Sequence, residues 1–172
     1  RIGRMLESYV NYFEKFKKER AINYEILVVI NNTTDRTEEI VKKFRNNGVR
    51  YLNLKPGGKG FAVKSGFKDA LKRDNDLIGF VDADMATPPE EFAKLITNID
   101  SYDATIANRY MKGSKIIPTF TFRRIIVGRI FNFIVRSLFL INYRDTQCGA
   151  KLFRRKTVEA VIDYLSITQF AF

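Results

Sequence analysis

The 172-residue sequence contains no histidine and only one cysteine, Cys148. Without histidine the chain lacks the usual general base and the commonest metal ligand. Any metal here is therefore held by oxygens. A lone cysteine excludes an intrachain disulfide and points to a reducing compartment. Cys148 also lacks the partner a nucleophilic thiol requires, so a small packed thiol is expected. No stretch reaches the roughly 18 uninterrupted apolar residues of a spanning helix. Acid is missing from one region: residues 104–144 hold 8 basic side chains and no acidic ones, whereas residues 1–103 hold 18 basic and 16 acidic. The net charge of +11 therefore has a local source and suggests an anionic partner there. Nucleic acid, lipid headgroups and phosphorylated substrates all qualify by charge, but no nucleic-acid motif is present. No signal peptide is visible. The chain opens without a methionine and ends on "TQFAF" without a cap, so a fragment of a longer protein is expected.

What is present is a foldable domain. An apolar fraction of 45% excludes a disordered chain, and the length suits one domain with a sizeable core. Residues Ile2 to Lys18 carry apolar side chains at helical spacing. "YEILVVI", 24–30, is apolar on consecutive positions, the pattern of a strand covered on both faces. A helix from Thr37 to Phe44, a strand from Val49 to Leu54 and a helix from Phe61 to Lys72 follow. The last has Val63, Phe67, Ala70 and Leu71 facing inward. A strand, Asp76 to Val81, precedes a helix opened by Pro88 and Pro89, with Glu90 and Glu91 complementing its dipole. "DATIAN", 103–108, is a further strand, and a last helix spans Lys156 to Leu165. This alternation predicts an α/β fold with a mostly parallel sheet and helices on both faces. Ligands of such sheets bind at the carboxyl ends of the strands.

Three polar turns fall at those ends. In "GFVDADMATPPEEF", 79–92, Asp82 and Asp84 are one residue apart at the end of a strand, so both carboxylates can point to one place. Mg²⁺ or Mn²⁺ accepts such a pair and completes its shell with water and substrate phosphates. The plainer reading is an acidic turn capping the next helix. In "KPGGKGFAVKSGF", Gly57, Gly58 and Gly60 allow close approach of a ligand, the helix start offers N–H groups, and Lys59 adds charge. The spacing is not that of a Walker A loop, and a simple loop is the alternative. In "NNTTDRT", Asp35 is either a site residue or a helix cap.

Residues 120–143, "FTFRRIIVGRIFNFIVRSLFLINY", are apolar with periodic arginines. Arg129, Asn132 and Arg136 share one helical face. Two readings stand: a core helix with a solvated stripe, or a basic amphipathic helix at a membrane interface with arginines on headgroups and phenylalanines in the acyl boundary. "YRDTQCGAKLFRR", 143–155, reads as a compact polar segment before the last helix, and its spacing alone indicates no reaction.

The succession "NNTTDRTEEIV", "GGKGFAVKSGF", "GFVDADMATPPEEF", "ANRYMKGS", "DTQCGAKLFRR" resembles the family 2 glycosyltransferases of the GT-A fold, across nearly the whole chain. Among these it is most similar to the polyprenyl-phosphate sugar transferases that use dolichyl phosphate. The resemblance implies a single GT-A domain over 1–172, a fragment without the family's first strand and C-terminal part, and a membrane-interface and acceptor segment over 112–143. It implies that Asp82 and Asp84 bind the divalent metal and the donor diphosphate, and that Lys59, Asn31 and Asp35 lie at the nucleotide. Arg109 and Arg124 match arginines that hold acceptor or donor phosphates, and Gln147 lines the sugar site. Two positions depart from the pattern. Asn31 stands where the family has a base-reading Asp, and Ala86 replaces the glutamine of the mannosyltransferases, which favours the glucosyl branch.

The implied reaction is metal-dependent, inverting transfer of a hexose from UDP-glucose or GDP-mannose to a polyprenyl phosphate, at the cytoplasmic face of a membrane. Its partners are the nucleotide sugar, the lipid phosphate and the membrane surface, with no nucleic acid. The competing expectations are a transferase for a soluble sugar and a non-enzymatic membrane-binding homologue.

Overall fold

The computed structural model describes residues 1–114 and 122–165, with the backbone alone for 122–125. Helix α1, Ile2–Arg20, buries Met5, Leu6, Tyr9, Val10, Phe13 and Phe16, a single stripe at helical spacing. Lys17, Lys18 and Arg20 in its last turn complement the dipole, and Ala21 ends it in the left-handed region at φ 51°. The stripe serves two clusters. Met5, Tyr9, Phe13 and Phe16 pack on Ala93 of α4, Pro89–Thr97. Leu6 and Val10 meet Ile30, Val41 and Val49. These last three belong to β1, Ile26–Asn31, α2, Thr37–Lys42, and β2, Val49–Leu54.

Strands β1 and β2 pair in parallel, Ile26 opposite Val49 through Asn31 opposite Leu54. A second sheet holds β3, Leu77–Val81, β4, Ala104–Ile106, and β5, Ala150–Arg154. Side-chain alternation assigns its faces. Leu77 and Val81 pack with Leu95 and Ile99 beside α4, while Ile78 and Phe80 pack with Phe67 and Val158. Phe67 lies on α3, Lys59–Ala70, and Val158 on α6, Arg155–Val161. Helix α3 also reaches β1: a Cβ on Gly66 would lie 3.1 Å from Val29 Cγ2. It thereby bridges the two sheets, and helices cover both faces as the alternation predicts.

Apart from shorter ends, as in the last helix, which stops at Val161 and not Leu165, two differences from the sequence reading bear on the site. The segment read as compact and polar contains β5, which lies between β3 and β4 and runs antiparallel to both. The sheet is thus more mixed than strand–helix alternation alone predicts. The strand was hidden because it is five residues long and its alternation includes Lys151 and Arg154. Helix α3 begins at Lys59, two residues before the expected Phe61, so Lys59 sits in its first turn.

Helix α5, Phe122–Phe139, is the long helix of the basic segment. It does not behave as a core helix. Ile126, Val127, Ile130, Phe131, Phe133, Ile134, Leu138 and Phe139 are all exposed, whereas the polar Asn132 is buried. Thr146 Oγ1 donates to Asn132 Oδ1 at 3.2 Å, tying α5 to the loop before β5. The expected stripe of Arg129, Asn132 and Arg136 is therefore split between solvent and protein. Residues 115–121 of the 112–143 segment and the side chain of Arg124 lie outside the described residues. Among the described residues no helix is long and apolar enough to cross a membrane.

Candidate active site at the strand ends

A chain of contacts runs across the carboxyl ends of β1, β3 and β4. Asn31 closes β1, and its Nδ2 donates to Gly58 O at 2.8 Å. That bond fixes the amide orientation and leaves Oδ1 buried without a hydrogen-bond partner. A buried orphan acceptor costs about 1–3 kcal/mol, so a donor from outside the chain suits this place. An open cavity of about 700 Å³ lies alongside, lined by Asn31, Thr33, Asp35 and Ala83 among others.

Gly58 precedes α3 in a left-handed conformation, φ 117°, and so turns the loop into the helix. The first helical residue, Lys59, then reaches the end of β3. Its Nζ lies 2.7 Å from Oδ1 and 2.8 Å from Oδ2 of Asp82. Lys59 is thus what offsets the charge of the first carboxylate. Asp84 is held differently. It is exposed, and its Oδ1 accepts the N–H of Ala86 at 2.9 Å, with Met85 at φ 66° between them. Asp84 thus shapes the turn but does not cap α4, whose N-cap Pro88 carries no side-chain cap bond, and Asp82 is instead ion-paired.

Among the described residues no group of three or more His, Cys, Asp or Glu side chains could hold a metal. The donor set here is two carboxylates at a strand end, one 37% exposed and the other exposed. Hard oxygens in that number fit Mg²⁺ or Mn²⁺ shared with substrate phosphates, and do not form a protein-only cage.

The far side of the site was only partly anticipated. Arg109, just beyond β4, is clamped by Asp145, which the sequence reading did not single out. Nε and Nη2 donate to the two carboxylate oxygens, each at 2.8 Å, and the Arg109 N–H adds a bond at 3.0 Å. The Asp145 side chain is fully buried. Burial alone would raise its carboxyl, but the hydrogen bonds from Arg109 prevail and hold it below the ordinary carboxylate range. Its sequence signal is that it is the first acid after the acid-free stretch.

Lys151 was also missed. It is 8% exposed, donates from Nζ to Thr146 O at 3.3 Å, and lies over the Phe80 ring, which Lys59 also approaches. Burial, followed by repulsion from Lys59, pushes its pKa down. The signal available in the sequence was a lysine between Ala150 and Leu152 in an alternating stretch.

The remaining candidates are placed as follows. Asp35 is exposed and accepts the Thr37 N–H at 2.9 Å, which opens α2 and lowers its pKa. Gln147 is exposed on the loop, its N–H donating to Asp145 Oδ1 at 3.3 Å. Cys148 is a buried thiol whose pKa burial raises, as expected of a packed residue. Asn31, Lys59 and Asp82 are thus joined through contacts, and the 145–149 loop links Asp82 to Arg109.

Comparison with known proteins agrees with this architecture. The family model described as "Glycosyl transferase family 2" matches residues 1–162. A dolichyl-phosphate beta-glucosyltransferase of Dictyostelium discoideum is 31% identical over 184 residues, covering 100% of this chain and 55% of that protein. The protein of the same description from Homo sapiens is 28% identical, covering 100% and 56%. A dolichol-phosphate mannosyltransferase of Pyrococcus furiosus is 33% identical over 153 residues, covering 83% and 41%. The chain spans about half the length of these relatives.

Proposed function

From the premise that the chain belongs to glycosyl transferase family 2, whose fold is GT-A, we propose that it carries the donor site of an inverting hexosyltransferase that uses dolichyl or another polyprenyl phosphate as acceptor. Its relatives bear names of that kind. The observation that carries the reading is the linked set Asn31, Lys59 and Asp82 at the carboxyl ends of β1 and β3. It combines an orphan acceptor, a cation and a carboxylate, which suit a base, a diphosphate and a divalent ion in turn.

The donor proposed is a uridine diphosphate sugar, with UDP-glucose as the first choice. Uracil offers one ring N–H, flanked by two carbonyls, and the Oδ1 of Asn31 is a single unused acceptor. Guanine offers two adjacent donors, which a carboxylate would meet better than an amide does. Lys59 and the first N–H groups of α3 would face the diphosphate. Asp82 and Asp84 would hold Mg²⁺ or Mn²⁺, which when bound supplies charge stabilisation for the leaving diphosphate.

A polyprenyl phosphate is an anionic nucleophile near neutral pH, so attack on the anomeric carbon needs no strong base. A chain without histidine can therefore support it. In-line displacement inverts the anomeric centre. The acceptor side is assigned to α5, whose exposed Phe133, Leu138 and Phe139 would enter the acyl boundary while Arg129 and Arg136 meet phosphates. Gln147, exposed on the loop that Thr146 ties to α5, would line the sugar site. On this reading the chain works at a membrane surface, on its cytoplasmic face.

The test is calorimetric titration of UDP-glucose and GDP-mannose, each with and without Mn²⁺, into wild type and Asp82→Asn, followed by transfer to dolichyl phosphate in vesicles. Metal-dependent binding of UDP-glucose that Asp82→Asn abolishes supports the proposal. Tighter binding of GDP-mannose overturns the choice of base. Transfer to a soluble sugar but not to the lipid overturns the acceptor.

A further inference from the structure

We propose that Gly149 is the positioning residue that seats the Asp82 carboxylate, a role that rests on the donor-site reading above. The two residues are joined twice. The Asp82 N–H donates to Gly149 O at 2.9 Å, extending the β3–β5 ladder by one bond beyond Val81 and Ala150. The Asp82 side chain then folds over the Gly149 α-carbon. A Cβ built on Gly149 would overlap Asp82 Oδ2 and Cγ outright and lie 3.1 Å from Oδ1.

Two further observations make this a site requirement. Gly149 is not among the glycines with positive φ, so its backbone would accept any residue. What demands glycine is space alone. In addition, the three atoms nearest that Cβ all belong to the Asp82 carboxyl group. Gly79, on the adjacent strand, is a useful contrast. A Cβ there would meet Lys151 O at 2.8 Å, Leu152 Cδ1 at 2.9 Å and Phe92 Cζ at 3.0 Å, which is a packing demand. At Gly149 the missing side chain leaves room for the one carboxylate that Lys59 holds.

The consequence is that a methyl group at 149 expels Asp82 from its seat and breaks its pairing with Lys59. The residue acts through Asp82 and itself touches no substrate.

The experiment reads Lys59 directly. Wild type, Gly149→Ala and Asp82→Asn are exposed briefly to an acylating reagent, and labelling of each lysine is followed by peptide mass spectrometry. Lys42 and Lys94, paired on other surfaces, are the internal reference. The expected result is several-fold faster labelling of Lys59 in both variants, with Lys42 and Lys94 unchanged. Wild-type labelling of Lys59 in Gly149→Ala, or in Asp82→Asn, overturns the proposal.

If Gly149→Ala does not fold, the double variant Gly149→Ala/Asp82→Ala decides. Recovery of the native circular dichroism and melting transition supports a clash with that carboxylate alone, and failure to recover overturns it. UDP-glucose titration then tests the link to function. Loss of binding in folded Gly149→Ala, with wild type binding, supports the positioning role, and retention of wild-type affinity overturns it. If wild type binds no nucleotide sugar, the donor reading fails, while Lys59 labelling still decides whether Gly149 seats Asp82.

Discussion

Arg109 and Asp145, 36 residues apart in sequence, are joined by three hydrogen bonds, two from the guanidinium and one from the backbone N–H. The Asp145 side chain is fully buried and the Arg109 side chain is 30% exposed. This pair fastens the loop before β5 to the end of β4, on the side of the site opposite Asn31. Removing the cation strands a buried charge. Arg109→Ala should therefore cost about 3 kcal/mol, measured by urea denaturation at neutral pH. A cost below about 1 kcal/mol would show that the pair does not hold the loop.

The same pair sets an acid dependence. The folded Asp145 carboxyl lies below its unfolded value, so the folded state binds its proton less readily. Its stabilisation is complete above the unfolded carboxyl range, about pH 4, and is lost as pH falls through the lower folded value. Denaturation midpoints of wild type and Asp145→Asn should therefore converge as pH drops below about 4. Curves that stay parallel through that range would contradict the assignment.

Lys59 and Asp82 offer a double-mutant cycle on donor binding. Each oxygen of Asp82 is on Lys59, so the two residues act as one unit. Lys59→Met and Asp82→Asn should each weaken UDP-glucose binding at least tenfold. Together they should weaken it by less than the product of the single effects. Strict multiplication of the two effects would argue that they serve separate functions.

Asn31 tests the choice of base. Asn31→Leu removes the orphan acceptor and the bond to Gly58. The expected result is at least a tenfold loss in affinity for UDP, with a thermal shift small enough to keep the domain folded. Asn31→Asp should narrow the preference for UDP over GDP, since a carboxylate meets two donors. Unchanged affinities in both variants would remove Asn31 from the base site.

The apolar surface of α5 predicts vesicle binding that is separable from donor binding. Phe133→Ser/Leu138→Ser should reduce flotation with anionic vesicles severalfold and leave UDP-glucose titration unchanged. Both side chains are more than 70% exposed, so the folded core loses little. Flotation equal to wild type would move the acceptor surface elsewhere.

Much of this architecture was legible along the chain. The alternation of apolar runs gave the α/β order, because strands buried on both faces and amphipathic helices leave opposite periods in sequence. The placement of Asp82 after an apolar strand, and of Lys59 among Gly57, Gly58 and Gly60, marked the strand ends at which the donor site is proposed. Strand β5 was not legible. Five residues that include a lysine and an arginine carry too little periodicity, and pairing on both edges compensates for that only in three dimensions.

By itself, then, the sequence determined the class of fold, the charge asymmetry and the absence of any histidine chemistry. It also carried the residue types of the proposed donor site, because these depend on composition and on spacing within one element. The tertiary structure decided the partners: Asp145 for Arg109, Lys59 for Asp82, Thr146 for Asn132, and an empty α-carbon at Gly149 beneath a carboxylate. Those pairings span 14 to 67 residues, with Asp82 and Gly149 the farthest apart. Contacts of that range are set by how strands stack in the sheet, and no local pattern encodes them.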